Sequence, residues 1–283
     1  MPTLEITTMI GCPLMCTFCP QDALRDASKG DEKYLSLDNF KGILAKVPKH
    51  VRIDFSGMSE PWANPECTAM LRHTLENGYS VAIYSTLYGI KNEEVKEIID
   101  LIQFHAPQIT NLVIHIQDKN NNMKGLKFTD EWISVMNSFI SLKNKNIVEN
   151  FQFITMDEGG IPHEFLENLL PLLPKFHGYD RAGSLPLEQI DGQKISIRKD
   201  IKGRIKCSFT TYYDQNVLLP NGDVLLCCMD YAKKHVVGNL LESEKYYDLF
   251  KSDEMHRIRV ENMEEGTSNS SICRSCERAC HAN

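Results

Sequence analysis

Strand-like and helix-like segments alternate from Leu4 to about Leu185, and this alternation limits the possible fold more than any other feature of the sequence. The helix-like segments keep their apolar residues at helical spacing, and Ser36 is a capping residue at the start of the first of them. Repeated βα units predict an α/β fold with a mostly parallel sheet, whose functional sites lie where the strands end. The predicted strands are residues 4–9, 51–56, 80–85, 111–116, 151–156 and 175–179, and the predicted helices are residues 37–47, 64–75, 92–102, 129–142 and 162–173.

Three cysteines, Cys12, Cys16 and Cys19, follow the first predicted strand at C-x3-C-x2-C spacing. A loop this short can turn three thiolates toward one point, and thiolates are the standard protein ligands of iron–sulfur clusters. Three ligands on one cluster leave one iron without a protein ligand. Zinc and disulfides fit the pattern less well, because structural zinc sites have four ligands and paired C-x2-C motifs, and disulfide scaffolds are short secreted chains.

This spacing, together with the aromatic Phe18 just before the third cysteine, resembles the signature of the radical S-adenosylmethionine (radical SAM) enzymes. The resemblance implies a partial (β/α)6 barrel and a [4Fe-4S] cluster on Cys12, Cys16 and Cys19. In that family the open iron binds SAM. One electron then cleaves SAM to methionine and a 5′-deoxyadenosyl radical, which removes a hydrogen atom from the substrate. The partner that this chemistry implies is an electron donor such as flavodoxin or ferredoxin.

The composition narrows the functional class and the compartment. A chain of 283 residues suits one large domain plus a smaller one, and its net charge of −7 argues against a nucleic-acid protein, which usually has a basic surface. We see neither a signal peptide nor an apolar run long enough to cross a membrane, so we expect a cytoplasmic protein without a membrane partner. Ten cysteines in such a chain indicate metal binding or catalysis more than disulfides.

Several predicted strand ends carry residues that are candidates for contact with SAM or substrate. Residues 57–61, Gly-Met-Ser-Glu-Pro, resemble the Gly-Gly-Glu-Pro segment of the family, which implies that Gly57 and Glu60 meet the amino group of SAM, with Ser59 between them. A carboxylate and a ligand ammonium form a strong charge-assisted pair. Each assignment has a structural alternative. For residues 57–61 it is a plain strand–helix turn, for the strand-end side chains it is a structural role, and for Arg181 it is a surface salt bridge. The further candidates are Phe18, Ser85, His115, Gln117 and Arg181, the last for the SAM carboxylate or for substrate.

A second set of cysteines lies in the C-terminal third of the chain. Cys207 precedes a hairpin predicted around Asn221-Gly222, and Cys227 lies on its second strand. From the residues alone, this set fits either zinc or an iron–sulfur cluster. The spacing resembles the SPASM and twitch extensions of radical SAM enzymes. That resemblance implies one auxiliary [4Fe-4S] cluster on Cys207, Cys227, Cys273 and Cys276, with Cys280 as a possible replacement for one of the last pair.

The resemblance divides the chain into a radical SAM partial barrel (residues 1–185), a linker (186–206) and a SPASM/twitch domain (207–283). Length and cysteine spacing are similar to those of aminocyclitol dehydrogenases and aminoglycoside epimerases of the family. We therefore expect a small polar substrate, sugar-like or aminocyclitol-like, that undergoes two-electron oxidation. The alternatives are epimerisation with Cys228 or Cys280 as the hydrogen donor, peptide modification, and a non-enzymatic iron–sulfur or zinc-binding protein.

Overall fold

The structure is a computed structural model and describes residues 1–156, 159–167, 170, 173–174, 181–185, 201–210, 212–263 and 270–282. Its N-terminal part alternates strands and helices as predicted. The strands are β1 (Thr3–Ile6), β2 (Arg52–Phe55), β3 (Val81–Ser85), β4 (Ile109–His115) and β5 (Phe151–Ile154). The helices are α1 (Gln21–Ala27), α2 (Leu37–Leu44), α3 (Cys67–Glu76), α4 (Asn92–Phe104), α5 (Asp130–Asn144) and α6 (Glu164–Glu167).

Strands β1 to β5 are parallel and neighbour one another in chain order. The α/β prediction is therefore confirmed, and five of the six predicted strands are present. The sixth predicted strand, residues 175–179, lies outside the described residues. Because all five strands run in one direction, their carboxyl ends meet at one edge, where the cysteine loop also begins.

Side-chain hydrogen bonds cap the N-termini of two of the helices. Ser36 Oγ accepts a hydrogen bond from Asn39 N at 3.2 Å, as expected for an N-cap, and Thr129 Oγ1 does the same for α5. Helix α4 begins at Asn92, as predicted, and Lys91 occupies the capping position. The helix expected from residue 64 begins at Cys67, after a 3₁₀ turn at Pro61–Ala63.

The C-terminal part returns to the same sheet. Its strands are β6 (Ile205–Cys207), β7 (Gln215–Leu218), β8 (Asp223–Leu225), β9 (Val236–Asn239) and β10 (Ala279–His281), with helix α7 (Asp253–Met263) between the last two. The predicted β7–β8 hairpin is present, with Gly222 at a φ of +87° in its turn, a conformation that favours glycine. Strand β7 pairs with β1 in parallel, which gives the order β5-β4-β3-β2-β1-β7-β8-β9.

A second, two-stranded sheet pairs β6 with β10. Residues 186–200 of the expected linker lie outside the described residues, but Ile201 and Ile205 near its end are buried against Ala279. The end of that segment is therefore packed against the C-terminal part of the chain. The proposed domain boundaries stay a prediction. None of the helices in the described part of the chain combines the length and the apolar character that a membrane crossing requires.

Candidate active site

The three N-terminal cysteines lie on one loop at the carboxyl end of β1 and line one cavity, which we call the cysteine-loop cavity. The loop turns tightly, with Cys19 N donating to Cys16 O at 3.1 Å and Met15 in the left-handed region at a φ of +48°. All three cysteines are free of disulfides, and burial raises the pKa of Cys12 to about 11. Three thiols that face one cavity fit the donor set of an iron–sulfur cluster.

A second loop, residues 117–126 after β4, supports the cysteine loop from outside. Thr17 N donates to Asn122 O at 2.9 Å, and Gly125 N donates to Leu14 O at 2.7 Å. Gly125 has no room for a side chain, because a Cβ there would lie 2.1 Å from Pro13 O. This loop therefore fixes the backbone that carries the thiols.

Gln117, expected near SAM or substrate, serves this supporting loop instead. Its amide Nε2 donates to Met123 O at 2.8 Å, and its Oε1 accepts from Met123 N at 2.9 Å. Gln117 is buried and does not line the cysteine-loop cavity. The expectation is corrected, because both ends of the side chain are already used to hold the backbone of Met123.

Gln21, a residue that the motif analysis missed, ties the cysteine loop to the segment after β2. Its Oε1 accepts from Cys12 N at 3.2 Å, and its Nε2 contacts both Cys19 Sγ and Met58 O. Tyr231, from the C-terminal part, places its hydroxyl oxygen 3.5 Å from Cys19 Sγ. Neither residue lies at a recognisable spacing, so the sequence offered no signal for either.

The segment after β2 forms the facing wall of the cavity. Gly57 has a φ of +56°, and a Cβ there would lie 2.7 Å from Thr7 N, so only glycine fits this turn. Glu60 N donates to Cys12 Sγ at 3.4 Å, which brings the cysteine loop and the acidic turn into contact. Ser59 also lines the cavity, and its Oγ accepts from Met9 N at 3.4 Å.

The Glu60 carboxylate is buried and held by the end of β3. It accepts from Ser85 Oγ at 2.6 Å, from Thr86 N at 2.7 Å and from Thr86 Oγ1 at 2.8 Å. Burial raises the pKa of Glu60 to about 6, although these bonds favour the ionised form. Ser85, a candidate for contact with ribose or substrate, lines the cavity but points its hydroxyl at Glu60. Its structural role is to orient the acid.

A second cavity, the inner chamber, opens beside the first and is enclosed by the inward faces of β1 to β5. Tyr84, His115 and Arg181 line both cavities, so the two are adjacent. Burial, with the charge of Arg181, lowers the pKa of His115 to about 4, which leaves its imidazole neutral near pH 7. Arg181 lies on a turn in which Arg181, Ala182 and Gly183 all have positive φ, a strained arrangement for the first two.

The inner chamber contains charged residues that the sequence analysis missed. Glu5 on β1 faces it, as do Arg52 and Asp54 on β2, where the Arg52 guanidinium binds the Asp54 carboxylate at 2.6 and 2.7 Å. The signal was present in the sequence. These strands alternate apolar and charged residues, and a charged residue inside a strand that is buried on both faces indicates an internal polar cavity.

The four predicted auxiliary ligands, Cys207, Cys227, Cys273 and Cys276, line a third cavity, which we call the C-terminal cysteine cavity. Its other walls are largely apolar and include Phe209, Leu226 and Ile272. Four thiols in apolar surroundings fit an iron–sulfur cluster by the chemistry of the donor set. No group of three or more His, Cys, Asp or Glu side chains in the described ranges is arranged to hold a single metal ion.

Cys228 and Cys280, the two candidate hydrogen donors, have different surroundings. Cys228 lines both the C-terminal cysteine cavity and the inner chamber, and burial together with the negative charge of Glu5 raises the pKa of its thiol. Cys280 lines neither, because in the β6–β10 register Ala279 lies opposite Cys207 and Cys280 lies opposite Lys206. Successive residues of a strand point to opposite faces, so the strand directs Cys280 away from the thiols. The register therefore favours Cys228 over Cys280 as a donor and gives no support to Cys280 as a replacement ligand.

His235, which the sequence analysis also missed, holds the last cysteine turn. It is fully buried, and its Nε2 accepts from Ile272 N at 3.0 Å while its Nδ1 lies 2.7 Å from Glu254 Oε1. Since Nε2 accepts, the proton of the neutral ring sits on Nδ1 and is donated to Glu254. The hydrogen bond from Ile272 N to the ring fixes the backbone next to Cys273.

Comparison with the sequences of known proteins gives two findings. Residues 207–277 match the SPASM family, described as an iron–sulfur cluster-binding domain. A search of the curated proteins found no match to the sequence.

Solved structures match nearly the whole chain. BtrN in complex with AdoMet and 2-DOIA matches with a TM-score of 0.59 and 18% identity, covering 98% of this chain and 92% of that one. Native anSMEcpe with bound AdoMet matches with a TM-score of 0.51 and 15% identity, covering 90% and 82%. The resemblance predicted from the sequence is thus confirmed for the fold and for the C-terminal domain: the chain has the fold of these proteins and carries a SPASM iron–sulfur cluster-binding domain.

Proposed function

We propose that this protein is a radical SAM enzyme that oxidises a small polar substrate at a C–H bond. The observation that carries the proposal is that the two cavities are adjacent: the three-thiol loop and the Glu60 turn form one, and it shares wall residues with a polar chamber. BtrN, which shares the fold, is described in complex with AdoMet and a small molecule, and anSMEcpe with bound AdoMet. When bound to the three-thiol loop, a [4Fe-4S] cluster with SAM supplies a 5′-deoxyadenosyl radical.

The residues of the cysteine-loop cavity divide the binding of cluster and SAM between them. Cys12, Cys16 and Cys19 would hold the cluster, and Phe18 lines the same cavity beside them. Gly57 lets the backbone approach, while Glu60 offers a fixed carboxylate for the SAM ammonium. Arg181 reaches both cavities, so its guanidinium is placed for the SAM carboxylate, with substrate as the alternative.

The inner chamber is proposed as the substrate site. Its volume of about 380 Å³ falls within the usual size of small-molecule pockets. Glu5, Asp54 and Arg52 offer charged groups, and Tyr84 and the neutral His115 offer hydrogen bonds. This lining suits a hydroxyl-rich molecule better than an apolar one.

Oxidation requires that a substrate radical lose one proton and one electron. Cys228 belongs to the wall of the chamber and also to the wall of the C-terminal cysteine cavity, so a cluster held by Cys207, Cys227, Cys273 and Cys276 would lie next to the reaction. Such a cluster would supply the acceptor for that electron. We keep residues 1–185 as the catalytic domain, 186–206 as a linker and 207–283 as the auxiliary domain in this proposal.

Epimerisation is the second candidate, because the structure brings a thiol to the chamber at Cys228. In that reaction the S–H bond breaks as a C–H bond forms on the opposite face of the substrate. The sulfur is left with an unpaired electron and must regain one electron and one proton from an external reductant and solvent. Cys280, on the far side of β10, is not placed for this step.

Anaerobic reconstitution with SAM, a reductant and a panel of sugars and aminocyclitols tests the proposal. Oxidation gives 5′-deoxyadenosine and a product two hydrogens lighter. An unchanged redox state with one carbon-bound deuterium in heavy water, abolished in Cys228→Ala, moves the assignment to epimerisation. A peptide substrate would replace the small-molecule assignment, and failure to form 5′-deoxyadenosine under all conditions would reject radical SAM chemistry.

A further inference from the structure

The inner chamber contains a carboxylate that no positively charged side chain of the described residues neutralises directly. Glu5 is half-buried on β1, where it accepts a long hydrogen bond of 3.4 Å from Ser56 Oγ and contacts the Cys228 thiol. In the described part of the chain, none of the ion pairs within 4.0 Å includes Glu5. A carboxylate in such a position is costly unless something pairs with it.

Arg52, the cation on the neighbouring strand, already binds another carboxylate. Asp54 lies beside Glu5 in the β1–β2 register, and Arg52 binds Asp54 through two of its nitrogens. The chamber floor therefore holds two carboxylates and one bound guanidinium. Burial, with Asp54 next, raises the pKa of Glu5 to about 7, which is the effect expected of an acid that lacks a cation.

Arg181 is the remaining cation of the chamber. It attracts Glu5 through space but forms no ion pair with it among the described residues, and its guanidinium contacts Met229 Sδ at 4.0 Å. Arg181 also lines the cysteine-loop cavity, where the proposed function uses it for the SAM carboxylate. Once Arg181 is so engaged, Glu5 is left as the unmatched charge of the chamber.

We propose that Glu5 determines substrate specificity by binding an ammonium group, so that the substrate is a small primary amine that also carries hydroxyl groups. The inference rests on the proposed function, which assigns the chamber to the substrate. A hydroxyl group could donate a hydrogen bond to Glu5 but would leave its charge uncompensated. An ammonium group supplies both the hydrogen bond and the compensating charge, and charge-assisted hydrogen bonds are about twice as strong as neutral ones.

A matched pair of probes tests the inference without turnover. Binding of scyllo-inosamine and of scyllo-inositol, which differ by one ammonium for one hydroxyl, is measured by calorimetry on the full-length, anaerobically reconstituted protein with SAM present. We expect the wild type to bind the amine about 10- to 100-fold more tightly than the alcohol. Glu5→Gln should bring the two affinities within about threefold, the rest of the chamber being unchanged.

Two further variants separate the charge from a general disturbance of β1. Glu5→Asp keeps the charge and should retain a preference for the amine. Thr3→Val changes the same face of β1 without removing a charge, and should keep the wild-type ratio. A wild type that does not prefer the amine, or a Glu5→Gln variant that still does, overturns the inference.

The proposed function is judged by a separate measurement. Formation of 5′-deoxyadenosine from SAM and reductant, without any added substrate, reports on the cysteine-loop cavity alone. Wild-type protein that forms 5′-deoxyadenosine but shows no amine preference refutes only the role of Glu5. Protein that prefers the amine but never cleaves SAM refutes the proposed function and leaves a binding site for amines.

Discussion

Gly125 offers a sharp test of how the thiol loop is held, because the whole effect of a substitution there is steric. Its φ lies outside the left-handed region, so an alanine is compatible with the backbone conformation itself. The added Cβ would lie 2.1 Å from Pro13 O and 2.9 Å from Leu14 Cα. Side-chain carbons do not approach other atoms more closely than about 3.0 Å, so the cysteine loop has to move away by roughly 0.9 Å.

The expected cost of Gly125→Ala follows from two contributions. Forcing an extra methyl group into a packed contact costs about 1–3 kcal/mol, and loss of the 2.7 Å bond from Gly125 N to Leu14 O costs about 1 kcal/mol. The free energy of unfolding should therefore fall by about 2–4 kcal/mol. The displacement also exceeds the roughly 0.5 Å within which a ligand constellation must be held, so the loop should lose its four irons.

Urea unfolding and iron analysis after anaerobic purification measure both effects. Gly42→Ala in α2 is the matched control, because a Cβ there meets nothing within 4 Å. In a helix interior this control should stabilise by up to about 1 kcal/mol and leave iron unchanged. If Gly125→Ala matches Gly42→Ala in iron content and in unfolding free energy, the loop after β4 does not hold the cysteines and our reasoning fails.

Three further predictions concern Glu60, His115 and His235. Glu60→Gln should weaken SAM binding by about 1.5–3 kcal/mol in calorimetry, and an unchanged affinity would remove Glu60 from the SAM site. Because the pKa of His115 is lowered to about 4, the unfolded chain takes up a proton as pH falls below about 6.5 while the folded chain does not. The free energy of unfolding of the wild type should hence fall by roughly 1–3 kcal/mol between pH 6.5 and 4. The His115→Gln variant should lose less stability over this range. Identical urea titrations of the two proteins would contradict the burial of a neutral ring. His235→Ala leaves Ile272 N without its acceptor and should lower iron from about eight toward four per chain, whereas the exposed His256→Ala should not; equal iron in both variants would show that His235 does not support the auxiliary site.

Local patterns predicted much of the fold. The strands around Leu4, Ile53 and Ile83, the cap at Ser36 and the turn at Asn221-Gly222 were visible in the sequence, because each depends on residues a few positions apart. The thiol loop could also be identified from spacing alone. These features need no knowledge of what packs against them.

The rest depends on contacts between distant parts of the chain. Gln117 and Arg181 both follow predicted strands, yet one holds a backbone and the other faces a cavity. Only the packing of the 117–126 loop separates the two cases. Cys228 and Cys280 were equivalent as sequence, and strand register distinguishes them. Glu5 and Cys228 meet because β7 returns to β1, which no local pattern could show.

The pairing of β7 with β1 also sets the order in which the molecule can be completed. β1 is made long before one of its two neighbours, β7, which begins at Gln215, more than two hundred residues later. Until that segment leaves the ribosome, β1 has an open edge that can pair with other chains, and the loop that follows it lacks Tyr231 beside Cys19. The thiol loop therefore reaches its final form only after residues 215–231 have been made, and iron delivered to the nascent chain before then would meet an incomplete site.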